Sequence, residues 1–197
     1  VGTSLSIMMP CPWVPEMAAY VKDHPQVDAG IHLTHTSEWK KYRWGPVAGG
    51  AAVPGLVDTN GYLWPDVAGV VGHATADEVE AEIRAQIDKA LSMGIEPTHL
   101  DSHMGTCFAP QFIDRYVKIG IEKKIPILIM GGHMQHIGEQ AAAYKPLVMA
   151  IAMQVWNAGL PVIDDIVTQP TTATDYDERK AQLIELLREM KPGITEI

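Results

Sequence analysis

Four residues suited to metal ligation or acid–base work stand out by position. In Pro97-Thr98-His99-Leu100-Asp101-Ser102-His103, the two histidines and the aspartate occupy alternate positions of what reads as a strand end. Alternation in an extended chain points all three side chains to one face. Imidazole and carboxylate groups converging in this way supply the N and O donors that a divalent ion takes. A carboxylate beside a histidine can equally orient the ring and raise its basicity. The competing reading is a polar strand end with no ligand. His32, in Gly30-Ile31-His32-Leu33-Thr34, ends a second apolar run in a small-residue context. In a βα fold such strand ends lead into loops at the same face of the sheet, which brings His32 toward the first cluster. Taken alone, His32 would read as a satisfied core histidine. His35 falls outside the alternation and is expected to face solvent.

Other candidates carry weaker patterns. His133 and His136 follow an apolar run, and Gly131-Gly132 before them would let the backbone approach a ligand closely. A loop role is the simpler reading of both. Asp164-Asp165, ending another apolar run, could add carboxylates to the site, and a helix cap or a solvent-facing pair is the simpler reading. Trp39, Tyr42, Trp44, Tyr62 and Trp64 crowd the region after His32. Aromatic faces suit stacking on sugar rings, and Arg43 and Glu38 could bond hydroxyls, so Trp39, Arg43 and Trp44 are the candidate substrate-binding residues. A loop packing a small core of its own accounts for the same aromatics. Cys11 and Cys107 form no disulfide framework, and there is no P-loop, GxGxxG, GxSxG or CxxC pattern.

The elements that must position these residues alternate in type. Strand-like runs cover Thr3 to Met9, Val27 to Thr34, Thr98 to Ser102, Ile125 to Met130, Leu160 to Val167 and Gly193 to Ile197. The clearest helix runs from about Thr75 to Met93. Thr75 and Glu78 form a capping box, Val79, Ile83, Ile87 and Leu91 make a stripe, and Gly94 ends it. Further helices follow Trp13, span about Pro110 to Lys123, span Gly138 to Asn157 with a break at Pro146, and begin after Thr174. The last should carry Leu183, Ile184, Leu187 and Met190 inward. Alternating strands and helices predict an α/β fold with a largely parallel sheet, an incomplete barrel or an open sheet. The long Gly- and Pro-rich stretch from Gly45 to Gly72 suggests a functional loop.

Composition sets the outer bounds. The chain has 197 residues, 47% hydrophobic and 20% charged, enough for one domain with a substantial core. A formal net charge of −9 leaves no general basic surface for nucleic acid or anionic membrane. No apolar run reaches the roughly 20 residues needed to span a bilayer.

On the motifs GIHLT (Gly30 to Thr34), TSEW..YRWGPV (Thr36 to Val47), VPGLVDTNGYLW (Val53 to Trp64) and PTHLDSH (Pro97 to His103), the sequence resembles the YdjC-like carbohydrate deacetylases, the family that includes chitooligosaccharide deacetylases. Gly2 to Met8 also resembles the family's second strand. The resemblance implies an irregular or incomplete (β/α) barrel of the polysaccharide deacetylase type, as one domain over residues 1–197. It implies a divalent metal ion, Mg²⁺ or Zn²⁺, held by His32, His103 and an Asp of an Asp-Asp motif that should precede Val1. His99 and Asp101 become the candidate catalytic residues beside that ion. The implied reaction removes an acetyl group from an N-acetylated sugar or oligosaccharide, giving acetate and an amine. The Asp-Asp strand before Val1 and a His-Pro motif after Ile197 are both expected and missing, so the chain reads as truncated at both ends. One metal ligand, the general base and a general acid then lie outside it. Met104-Gly105-Thr106-Cys107 stand where the family continues into further histidines. A cytoplasmic location is expected, with secretion or a periplasmic location left open, and a homodimer is also left open. The alternatives are an inactive sugar-binding barrel and another metal-dependent hydrolase, such as a phosphoesterase.

Overall fold

A computed structural model describes residues 4–136, 142–168 and 170–197. Its backbone divides into two compact units, Val1–Ile127 and Leu128–Ile197. The first residues of the run from Thr3 and of the helix expected from Gly138 lie outside the described residues.

In the first unit, β1 (Ser4–Ile7), β2 (Asp28–Leu33) and β3 (Leu100–Ser102) form a parallel sheet in that order. A parallel bridge between Leu100 and Ile127 continues it. The alternation expected of β2 and β3 is realised. Ile31, Leu33 and Leu100 are fully buried, while His32 and Asp101 stay partly open on the other face. The register pairs Ile31 with Leu100, His32 with Asp101 and Leu33 with Ser102.

Helix α1 (Val14–Asp23) crosses from β1 to β2 and carries proline in its first turn. Helices α2 (Val67–His73) and α3 (Ala76–Ser92) precede β3, and α4 (Ile113–Lys123) follows it. The Thr75–Glu78 capping box of α3 is present in both directions. Val79, Ile83 and Ile87 are buried as expected. The stripe then passes to Ala90, leaving Leu91 48% exposed, because a 3.6-residue period drifts off a strict four-residue step.

The second unit holds α5 (Lys145–Asn157), α6 (Tyr176–Glu189) and the parallel pair β4 (Asp165–Ile166) and β5 (Thr195–Glu196). The runs expected over Ile125 to Met130 and Leu160 to Val167 shrink to bridges at Ile127, Met130 and Ile163 and to the two residues of β4. Pro146 lies in the first turn of α5, just after a turn at Ala143 and Tyr144, close to the break expected there. The inward face expected of α6 is corrected: Leu183, Ile184 and Leu187 are exposed, because no described element of this unit covers it. Among the described residues, no helix is long and apolar enough to cross a membrane.

A charge network ties α3 to α4. The Glu80 carboxylate accepts hydrogen bonds from Arg84, Arg115 and Lys118 at 2.8–3.1 Å. Hydrogen bonds from Lys118 and then Arg84, outweighing the effect of burial, pull its carboxyl down to about 2. A depressed carboxylate adds stability above its unfolded value near 4.5 and loses it as pH falls toward 2. In urea titrations the Glu80→Gln variant should therefore unfold at lower urea than the parent at neutral pH. The gap should close between pH 4.5 and 2, and a pH-independent gap would contradict this.

Candidate functional site

β2 and β3 bring the predicted residues to one place. His32 Nδ1 donates to Asp101 Oδ1 at 2.7 Å, as their facing positions in the register allow. The chain then leaves β3, and His103 opens a 3₁₀ segment over His103–Phe108. His103 is therefore past the strand, not on its alternation as expected, yet its ring turns back. Its Nδ1 lies 3.2 Å from His32 Nε2, and its Nε2 lies 3.1 Å from Glu38 Oε2. The result is a continuous row, Asp101–His32–His103–Glu38. Met104, the next residue, has φ 52°, a left-handed conformation uncommon for a side-chain-bearing residue. Burial raises the Glu38 carboxyl, but hydrogen bonds led by that of His103 bring it below the usual range.

His99 shares the face but not the row. Its Nε2 bonds Ser6 Oγ and its Nδ1 bonds Thr98 Oγ1, both at 3.0 Å. It reaches Ser6 by lying over Gly30, where a Cβ would collide with the ring. Gly30 is thus required by the close approach of a side chain. Both ring nitrogens of His99 are used within the sheet.

The loop after β2 corrects three expectations. Thr34, His35, Thr36 and Ser37 are fully buried, so His35 does not face solvent. Burial holds its imidazole down to about 4, and its Nδ1 sits 3.8 Å from the buried Cys107 thiol, which burial pushes up to about 12. Trp44 is only 6% exposed, with its indole N–H donated to Thr36 O and its backbone N–H to Ser37 Oγ. It offers no open face for stacking. Arg43 is spent inside the loop, donating to Ser37 O, Asp58 Oδ2 and Leu63 O. Of the three candidate substrate-binding residues, only Trp39 presents an open ring, 62% exposed.

Helix α3 closes the loop from beneath. Gln86 bonds both the N–H and the C=O of Thr34, at 3.0 and 2.7 Å. The buried Glu82 accepts the N–H groups of Val47 and Ala48, both at 2.9 Å. Burial is the main influence on Glu82 and raises its carboxyl, against those hydrogen bonds. Sequence reading assigned neither residue a role. A polar pair four residues apart beside an apolar stripe was the available signal.

In the second unit, Asp165 is not solvent-facing as expected but fully buried. It accepts from the backbone of Gln135, His136 and Ile166 and from His136 Nδ1 at 2.7 Å. Among the described residues, no three His, Cys, Asp or Glu side chains are grouped to hold a metal ion.

These observations define an α/β chain with a histidine–carboxylate row at the C-terminal ends of parallel strands. The chain belongs to the YdjC-like family, whose model, described as YdjC-like protein, matches residues 1–197. It is 36% identical over 114 residues to a carbohydrate deacetylase of Thermus thermophilus, covering 58% of this chain and 39% of that protein. A carbohydrate deacetylase of Thermoanaerobacter pseudethanolicus is 26% identical over 98% of this chain and 67% of its own length. A chitooligosaccharide deacetylase of Yersinia enterocolitica is 30% identical over 64% of this chain and 48% of its own. The chain thus spans between 39% and 67% of the length of these three relatives. An Enterococcus faecalis crystal structure, provisionally named a cellobiose-phosphate cleavage protein, superposes with a TM-score of 0.77. It is 22% identical and is covered over 69% of its length by the whole of this chain. At that identity the likeness speaks for the fold alone.

The loop chemistry separates anchors from open surface. Trp44→Ala should cost about 3–5 kcal/mol in urea unfolding, as removal of a buried indole does. Trp39→Ala should change stability by no more than about 0.5 kcal/mol. Equal costs for the two would refute this division.

Proposed function

We propose that this chain supplies the histidine half of a divalent-metal centre in a carbohydrate deacetylase, with His32 and His103 as ligands. The observation that carries the reading is the 3.2 Å approach of His32 Nε2 and His103 Nδ1. Two nitrogens bound to one ion at about 2.0–2.1 Å, with angles between 90° and 110°, stand roughly 2.8–3.4 Å apart. The Asp101 contact fits the same use, since a metal-bound histidine commonly gives its other N–H to a carboxylate. The described residues provide two such donors, and the family resemblance implies a third, an aspartate. Mixed N and O donors are compatible with either Mg²⁺ or Zn²⁺.

When bound, a divalent ion polarises the acetamido carbonyl and lowers the pKa of water. The chain's own residues arrange the reaction around it. Asp101 accepts the hydrogen bond of His32 Nδ1–H and so holds the Nε2 lone pair toward the site. His99, anchored on Ser6, lines the same face one row away. Trp39 offers an aromatic surface on which an acetylated sugar or oligosaccharide can stack. Water adds to the amide carbon, its protons pass to the nitrogen, and the C–N bond breaks to give acetate and the protonated amino sugar. We take the parallel sheet as part of an irregular, incomplete (β/α) barrel, with its chemistry at the strand C-termini.

The test is acetate release from N-acetylglucosamine oligomers by the full-length protein. A chelator and His103→Ala should each lower it at least about 100-fold, and added Mg²⁺ or Zn²⁺ should reverse only the chelator. Binding of the oligomers without acetate release would identify a sugar-binding module instead. Phosphate released from sugar phosphates in place of acetate would identify a phosphoesterase.

A further inference from the structure

Within the deacetylase reading, we propose that Glu38 is the positioning residue that sets the tautomer of His103 and thereby keeps its Nδ1 lone pair open for a cation. Neither the motif comparison nor the spacing of the histidines assigns Glu38 this task.

Consider the hydrogens along the row. Asp101 accepts the Nδ1–H of His32 at 2.7 Å, so in a neutral ring His32 Nε2 carries a lone pair. As a neutral ring, His103 has two ways to meet that lone pair. With its proton on Nδ1, it donates to His32 across the 3.2 Å gap and fills the space by itself. With its proton on Nε2, it donates to Glu38 at 3.1 Å and turns a second lone pair toward the first. A carboxylate has no hydrogen to offer and can only accept, so Glu38 selects the second state. Two lone pairs facing each other repel until a cation lies between them. Each inner nitrogen is thus backed by a carboxylate on the far side of its ring, Asp101 behind His32 and Glu38 behind His103.

The fold invests in the placement of Glu38. Ser37, immediately before it, is held at three points: its N–H donates to Trp64 O, its Oγ accepts from Trp44 N, and its carbonyl accepts from Arg43 Nε. Thr36 O accepts the Trp44 indole N–H, and Thr34 is fastened to Gln86 by both backbone groups. The buried Thr34 to Ser37 run therefore fixes the direction in which Glu38 leaves the loop. Arg43, whose guanidinium is bonded within the loop, and the buried Trp44 act through this same anchorage.

The test is made on metal-free and Zn²⁺-titrated full-length protein. Long-range ¹H–¹⁵N correlation on histidine-labelled protein reads the His103 tautomer directly. It should show the Nε2–H form in the parent and a shift toward Nδ1–H in Glu38→Ala. Zn²⁺ affinity, measured by competition with a chromophoric chelator, should fall about 10- to 100-fold in the variant. The isosteric Glu38→Gln, whose amide can accept or donate, should give mixed tautomers and an intermediate affinity. It also serves as the readout if the alanine variant fails to fold. An unchanged tautomer and unchanged Zn²⁺ affinity in a folded Glu38 variant would overturn the proposal. Failure of the deacetylase reading gives a separate signature: no acetate release by the parent, while the tautomer in metal-free protein still reports on Glu38.

Discussion

The arrangement depends on the register between β2 and β3, which sets His32 opposite Asp101. In parallel pairing a slip of one residue sends every side chain of a strand to the other face. Such a slip would turn Ile31 and Leu33 to the open face and push His32 into the core. Ile31, Leu33 and Leu100, all fully buried, oppose that exchange with the burial of three large aliphatic side chains, each worth roughly 1.5–3 kcal/mol. The polar face is thus aligned by the apolar one. The 2.7 Å bond between His32 and Asp101 is a result of hydrophobic alternation, and it needs no separate folding step.

Past the strand ends, a different economy operates. Four consecutive residues, Thr34 to Ser37, are fully buried although three carry hydroxyls and one an imidazole. Burial of unpaired polar groups costs about 1–3 kcal/mol each in proteins, so the fold must supply partners. It does so for Thr34 from α3, through Gln86, and for Thr36 and Ser37 from the loop's own Trp44, Arg43 and Trp64, while His35 Nε2 is left without a hydrogen-bond partner among the described residues. A bare hydrophobic plug would have been simpler. A polar plug anchored through Thr34, Thr36 and Ser37 fixes a backbone path, and the residue delivered at its end is Glu38.

How legible this was varies by element. The capping box and stripe of α3 are local signals, and the helix falls within a residue of where they place it. The alternation of β2 and β3 was equally readable, and with it the meeting of His32 and Asp101. The fate of the loop aromatics was not. Trp39 and Trp44 sit five residues apart in the same kind of sequence, yet one is open and the other buried, because burial there is decided by Thr36, Ser37 and Leu63 folding around it. His35 was misplaced for the same reason. For α6, an amphipathic stripe announced a buried face, while the described residues of its unit leave that face exposed. Periodicity says that a face wants a partner and is silent on where the partner resides.

A carboxylate touching a histidine is not by itself a sign of a site, and the second unit shows why. Asp165 bonds His136 at the same 2.7 Å as Asp101 bonds His32. Yet Asp165 is fully enclosed and accepts three backbone N–H groups as well. Those bonds fasten the turn at Gln135 and His136 to the start of β4, which is a structural task. Asp101 is 19% exposed in its side chain, its bonded histidine 28%, and that histidine turns its other nitrogen toward a second imidazole. What separates the two clusters is therefore the use of the far nitrogen. In the second unit, the backbone bonds already account for the carboxylate. In the first, the two carboxylates stand at the ends of the row and leave the inner nitrogens of its two imidazoles facing each other at 3.2 Å.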